Sequence, residues 1–256
     1  PHYTKTMRSG KWNPSYYTDS SSQEFTLPVS NEMFAKPSLR DSLWKWTVNS
    51  ELLPKPHGYV YSDLTMYFMQ EVIERIVGQP LDEFVDQNFY APLGLESLTF
   101  KPFEKMPLSR IAPTEKDVIF RGRQIQGYVH DPGAAMYGGV AGHAGLFGTA
   151  QDLAVILQLL LNKGSYGDVT LMKPETIATF TKRQSTQSRR GWGWDKPDPE
   201  KGKGGPAGRL APKSTFGHTG FTGTSMWADP ENQLSYIFLS NRVYPKAENN
   251  TLIDLG

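Results

Sequence analysis

Two short stretches of this chain set proton-transferring side chains beside backbone that could hold an anion. The first runs from Phe216 to Pro230 and contains the triplet His218-Thr219-Gly220. A strand-like run, Thr224 to Ala228, follows it. A turn at Asp229-Pro230-Glu231-Asn232 leads to a second strand-like run, Leu234 to Ser240, so the stretch reads as a hairpin. Gly220 and Gly223 remove side chains where another group could approach the backbone closely. The second stretch is Tyr61-Ser62-Asp63, set directly before an amphipathic segment. An imidazole such as that of His218 can give or take a proton near neutrality. A phenol such as Tyr61, with an ordinary pKa near ~10, acts as a base only beside a cation. An ionised Asp63 only accepts hydrogen bonds, and its position also suits it to cap a helix at Leu64.

The second stretch resembles the Tyr-x-Asn element, and the first the Lys-Thr-Gly element, of the serine β-lactamases and penicillin-binding proteins. The resemblance extends through Gly78-Gln-Pro-Leu-Asp-Glu-Phe84, Ala91-Pro-Leu-Gly-Leu95, Gly138-Gly-Val-Ala-Gly-His-Ala-Gly145 and Ser240-Asn-Arg-Val-Tyr244. It is strongest to the class C β-lactamase-like branch with its esterases and D-aminopeptidases, especially members fused after a glycosidase domain. It implies an α+β, β-lactamase/transpeptidase-like fold, with an antiparallel sheet flanked by helices and a helical subdomain. It also implies acyl transfer through a serine ester. Tyr61 then takes the proton-shuttling role. His218 stands where the family has lysine, and it can donate to a substrate carboxylate or to Tyr61. Thr219, Gly220 and Asp63 line the substrate, and the Phe221 N–H serves the oxyanion. On this reading Tyr61 and His218 face one cleft. Asp63 replaces the family's asparagine, which argues against anionic β-lactams as substrates.

The nucleophile element is not where the family places it. Ser42-Leu-Trp-Lys45 is the one Ser-x-x-Lys, and it lies too close to Tyr61. Its neighbours Arg40, Asp41 and two tryptophans suit a partly exposed amphipathic segment. The expectation is therefore one domain over residues 1–256, incomplete. It would lack the N-terminal strands and the Ser-x-x-Lys helix. Pro1 and the helix-like Thr251-Leu-Ile253 read as cut ends.

The 256 residues carry a formal charge of +1, so no broad field favours nucleic acid. Lys182-Arg183 and Arg189-Arg190 form one cationic cluster, read as a solvated helix end and loop. The absence of cysteine excludes disulfides, thiol catalysis and cysteine zinc sites. His130 with Asp131, and His143, lack the spacing of a metal site, so no metal and no cofactor is expected. The glycine-rich loop 138–145 matches no phosphate-binding spacing and reads as a packing turn. Tyr137, Trp192 and Trp194 suit either a cleft lining or the core. The longest apolar run, Leu153 to Leu161, is too short to span a bilayer.

The elements that must position the site follow from periodicity. Residues 1–30 read as irregular, and 32–52 as short helical turns broken by Pro54 and Pro56. Leu64 to Val77 reads as a helix with Leu64, Phe68, Met69, Val72, Ile73 and Ile76 on its core face. Gly78 stops it. Pro80 opens another helix to about Tyr90. Residues 101–148 show little periodicity. Thr149 with Asp152 forms a capping-box pattern for a helix from Ala150 to Asn162, and Pro174 opens one to about Lys182. Trp192 to Trp194 suggests a strand, and 196–212 a loop.

Three functions compete. The leading one is a serine hydrolase of an amide or ester: a cell-wall peptide, a β-lactam or a small ester. The second is an inactive module that binds peptidoglycan peptides. The third is a structural appendage to a glycosidase. The partners implied are a small-molecule or peptide acyl substrate, a glycosidase domain upstream in the polypeptide, and self-association. Self-association follows because an incomplete sheet would expose an edge and an apolar face including Ile237 and Leu239. The resemblance implies a periplasmic or secreted bacterial protein.

Overall fold

A computed structural model describes residues 2–52, 58–200 and 205–247. The breaks expected at Pro54 and Pro56, part of the 196–212 loop and the helix-like Thr251-Leu-Ile253 lie outside the described residues. The chain divides into two compact units. One holds residues 1–86, 99–147 and 244–246. The other holds 87–98, 148–243 and the C-terminal residues from 247.

The first unit begins with a 3-10 helix, His2–Thr6, and then short strands, not the irregular segment expected. β1 (Met7–Arg8) pairs with β2 (Lys11–Trp12). β3 (Tyr17–Thr18), β4 (Leu27–Ser30) and β5 (Met33–Ala35) form an antiparallel sheet in the order β3-β5-β4. Alternation was hidden because both Val29 and Ser30 are buried at a register shift of β4. A single helix, α1 (Leu39–Val48), replaces the expected short turns. It buries Leu39, Leu43 and Thr47, which recur at the four-residue spacing of one helix face.

α2 (Leu64–Val77) matches the expected helix and ends at Gly78, whose φ of 71° is the left-handed cap. Its buried face is not the expected one. Tyr67 and Gln70 are buried, while Phe68, Met69 and Val72 are exposed and Ile76 is 79% exposed. A polar residue occupies the inner face because all its groups are used. The Gln70 amide donates to Glu74 and to the Val140 carbonyl, and its carbonyl accepts from the Gly142 N–H. α3 (Leu81–Val85) follows and runs on as a wider π-helical turn, Asp86–Tyr90. The aperiodic region 101–148 contains a hairpin, β6 (Pro113–Asp117) with β7 (Arg123–Gln126), and a short helix, α4 (Pro132–Met136). Leu39, Leu43, Tyr67, Phe120, Ala134 and Met136 belong to one core cluster.

Charge fixes that hairpin. Arg121 has a fully buried side chain and donates to Asp117, Glu115 and the carbonyls of Val129 and His130. Burial would push the Asp117 carboxyl up. The Arg121 guanidinium and the backbone N–H groups of Phe120 and Ile119 outweigh that and hold it below the usual carboxylate range.

The second unit is built on α5 (Ala150–Leu161). Its capping box is present: Thr149 accepts from the Asp152 N–H, and Asp152 accepts from the Thr149 N–H. Leu157, Leu159, Leu160 and Leu161 are buried in a cluster with Phe216 and Ala228. Each such leucine contributes about 1.5–3 kcal/mol by leaving water. β8 (Ser165–Tyr166), β9 (Val169–Thr170) and α6 (Pro174–Thr181) follow. Trp192 to Trp194 is not a strand, and only Asp195 makes a bridge, to Gly217. Trp192 is exposed, whereas Trp194 packs edge-on against Phe216.

β10 (Phe216–Thr219), β11 (Thr224–Asp229) and β12 (Leu234–Leu239) form an antiparallel sheet in that order, with β12 at its edge. Ile237, expected on the exposed face, packs against the α5 cluster instead. The exposed apolar side chains are Leu234, Tyr236, Phe238 and Leu239. Among the described residues no helix is long and apolar enough to cross a membrane.

Candidate active site

The His-Thr-Gly element sits on an antiparallel strand in strict register. His218 lies opposite Met226 and Thr219 opposite Ser225. Glycine is required beside it. A Cβ on Gly217 would collide with the Met226 carbonyl and the Trp227 ring, and one on Gly220 with the Thr224 hydroxyl. The Gly220 N–H donates to the Thr224 carbonyl at 2.7 Å, so β10 turns tightly into β11. At Gly223, φ is +97° and a Cβ would meet the Ser240 hydroxyl. The close approach expected at Gly220 and Gly223 is thus made by the hairpin's own residues.

His218 is not alone on its strand. Nη1 of Arg190 lies 2.7 Å from its Nε2, and its Nδ1 lies 2.7 Å from the Thr219 carbonyl. Arg190 in turn donates through Nη2 to Oδ2 of Asp195 at 3.1 Å. Arg189 grips the same carboxylate with two hydrogen bonds, of 2.6 and 2.7 Å. The Lys196 N–H adds a fourth at 2.8 Å. This corrects the reading of Arg189-Arg190 as part of a solvated cluster, since both are anchored on a carboxylate only 2% exposed. The spacing gave no sign of it: Asp195 lies in a loop, where no helical or strand period relates it to either arginine. Arg183 does fit the solvated reading and donates to the carbonyls of Thr186 and Ser188 at the surface. Burial holds the Lys196 amine below the usual lysine range, and its ammonium donates to the Ser214 and Thr215 carbonyls.

Phe221 is exposed, with the Arg242 guanidinium 4.4 Å from its ring centre. Arg242 Nε also donates to the Phe221 carbonyl at 2.7 Å, which fixes the backbone just beyond Gly220.

Tyr61 and Asp63 belong to the first unit. Tyr61 is exposed in a stretch without regular structure just ahead of α2. Asp63 starts the helix through its carbonyl, which accepts from the Met66 and Tyr67 N–H groups. Its side chain caps nothing, contrary to the capping alternative. The Ser62 hydroxyl accepts from the Leu64 N–H instead, at 3.3 Å. Ser42 is half-buried on α1 and Lys45 is exposed.

A further polar group was not foreseen as a unit. His143 Nε2 lies 2.8 Å from Oδ1 of Asp131 and 3.5 Å from the Tyr67 hydroxyl. Asp131 also caps α4 through the Ala134 N–H at 2.7 Å. Burial would raise the Asp131 carboxyl, but His143 and that cap hold it below the usual range. Burial pushes the Tyr67 phenol far up, so Tyr67 stays protonated. Tyr137 stacks on Tyr67 and is pushed up to about 12, chiefly by burial. It is a core residue of this unit. The glycines of the 138–145 loop allow the packing: a Cβ on Gly142 would meet the Met66 carbonyl of α2. Among the described residues no cluster of three or more histidines and carboxylates could hold a metal.

A family model described as Beta-lactamase matches residues 6–255. The chain is 38% identical over 197 residues to a protein of Escherichia coli (strain K12) named "Putative D-alanyl-D-alanine carboxypeptidase". That match covers 72% of this chain and 45% of the relative. A Salmonella paratyphi B protein of the same name is 37% identical over 203 residues, covering 75% of this chain and 47% of its own length. The chain spans about half the length of these curated relatives. Among solved structures, a penicillin-binding protein from Bacillus halodurans superposes with a TM-score of 0.58 at 12% identity, over 85% of this chain and 61% of its own. A penicillin-binding protein homologue from Caulobacter crescentus gives 0.55 at 19% identity, over 81% and 60%. At these identities the likeness concerns the fold, and it agrees with the expected α+β, β-lactamase/transpeptidase-like architecture.

Proposed function

The chain belongs to the Beta-lactamase family, and from that premise we propose that it carries the Tyr61 and His218-Thr219-Gly220 elements of a serine hydrolase. The reaction is acyl transfer through a serine ester, and the substrate class is a cell-wall peptide ending in D-alanine. The observation that carries this reading is the third element itself. His218 and Thr219 sit in register on an antiparallel strand that turns sharply at a glycine with no room for a side chain. The names of the 37–38% identical relatives favour a D-alanyl peptide over the other esters and amides. That substrate also suits a periplasmic or secreted protein.

In this scheme the serine hydroxyl is a weak nucleophile and needs a base, which Tyr61 relays. The tetrahedral oxyanion takes a hydrogen bond from the Phe221 N–H. Thr219 and Asp63 contact the substrate. In this scheme the Ser42–Lys45 pair is not the nucleophile and base, a reading that the exposure of Lys45 supports. That observation also favours a second reading, a module that binds the peptide without cleaving it.

Assays with a chromogenic cephalosporin, a p-nitrophenyl ester and a D-alanyl-D-alanine peptide test both readings. The chain alone is expected to show no turnover. A polypeptide that supplies an upstream Ser-x-x-Lys is expected to be active, with Tyr61→Phe slowing its chemical step. Peptide binding with no turnover in either form would select the binding module. Turnover by the chain alone that Ser42→Ala abolishes would overturn the assignment of roles.

A further inference from the structure

We propose that Arg190 positions His218 and supplies the positive charge of the third element, a proposal that rests on the role given to that element above. A guanidinium has no acceptor and stays charged at any ordinary pH. The 2.7 Å contact between Arg190 Nη1 and His218 Nε2 is therefore a hydrogen bond that Nε2 accepts. Nε2 then carries no proton. The proton sits on Nδ1, which donates to the Thr219 carbonyl at 2.7 Å. Both ring nitrogens are used, and both bonds fit one tautomer of the neutral imidazole.

The arrangement divides the work of a lysine between two residues. His218 supplies shape and a fixed ring plane on β10. Arg190 supplies the cation, and its own aim is fixed by Asp195. That carboxylate is buried, also accepts two hydrogen bonds from Arg189, and belongs to a residue whose backbone bridges Gly217, next to His218. Asp195 thus ties the arginine pair to the strand that carries the imidazole. The Arg190 side chain keeps 21% of its surface exposed, so a ligand can still meet its charge. Arg190 is a positioning residue, and the ligand group it favours is an anion such as a carboxylate.

The test reads the tautomer directly. Two-bond ¹⁵N–¹H correlation spectra of the ¹⁵N-labelled chain near pH 7 should show His218 as a neutral ring protonated on Nδ1 alone. In Arg190→Met the pattern should move towards protonation on Nε2, and Arg190→Lys should restore the wild-type pattern, with circular dichroism unchanged in both. An unaltered pattern in Arg190→Met would overturn the proposal. So would a wild-type ring protonated on Nε2 or on both nitrogens, which decides the matter even if the methionine variant fails to fold. Titration with N-acetyl-D-alanine separates this proposal from the functional reading. Binding that Arg190→Met weakens about tenfold or more supports both, since a hydrogen bond to a charged group contributes about 1.5–3 kcal/mol. The expected tautomer without any binding upholds Arg190's positioning role and counts against the cell-wall substrate.

Discussion

Arginine and carboxylate meet in both units, in opposite proportions and for different ends. In the first unit one arginine, Arg121, is fully buried between Asp117 and Glu115 and also donates to two carbonyls. In the second unit two arginines share one carboxylate, Asp195, and both guanidiniums keep part of their surface. The first arrangement encloses its charge and closes the β6–β7 hairpin. The second presents a charge, and one of its arginines continues to a titratable ring. Burial separates the two ion clusters here, because a fully enclosed cation has nothing left to offer a ligand, whereas the partly open pair keeps surface for the role proposed above.

The largest expected effect breaks the enclosed cluster. Arg121→Met leaves Asp117 and Glu115 without the cation they face, and removing one partner of a buried pair costs about 3–5 kcal/mol. Urea denaturation would measure it, and a loss under 1 kcal/mol would show that water reaches this site. Asp195→Ala removes the anchor of the second cluster. Because that cluster is partly open, a loss of about 1.5–3 kcal/mol is expected, together with a changed His218 ring spectrum. Equal losses in the two variants would erase the contrast.

A pH series sharpens it. The Asp117 carboxyl is held below its usual range, so its contribution to stability is complete above the unfolded value, near ~3.9. That contribution is lost as the pH falls through the folded value. Wild type should therefore lose stability on acidification below about pH 4 more steeply than Asp117→Asn. Parallel curves would remove Asp117 from the account. The smallest effect belongs to a local cap: Thr149→Ala removes the capping box of α5 and should cost about 1 kcal/mol in thermal or urea unfolding.

The sequence made legible those features that depend on local chemistry. Gly78 ends α2 in the left-handed region, Thr149 and Asp152 cap α5, and the Asp229–Asn232 turn joins β11 to β12. It misled where burial depends on distant partners. The apolar stripe of α2 suggested an inward face, yet Tyr67 and Gln70 turn inward because Val140 and Gly142 satisfy the amide. The β6–β7 hairpin was hidden because its strands carry Glu115, Lys116, Arg123 and Gln124, whose alternation with apolar residues is weak. At the candidate site, His218 and its glycines could be read from their motif. Arg190 could not, since Asp195 recruits it from a loop with no period.

The proposal that the Tyr61 and His218 elements serve one acyl substrate is tested most directly by amide-resolved NMR titration with a diacetyl-lysyl-D-alanyl-D-alanine peptide. The account predicts saturable shifts at Tyr61 and at residues 218–221, lost in His218→Ala. Shifts confined to other residues, or none at millimolar peptide, would contradict it.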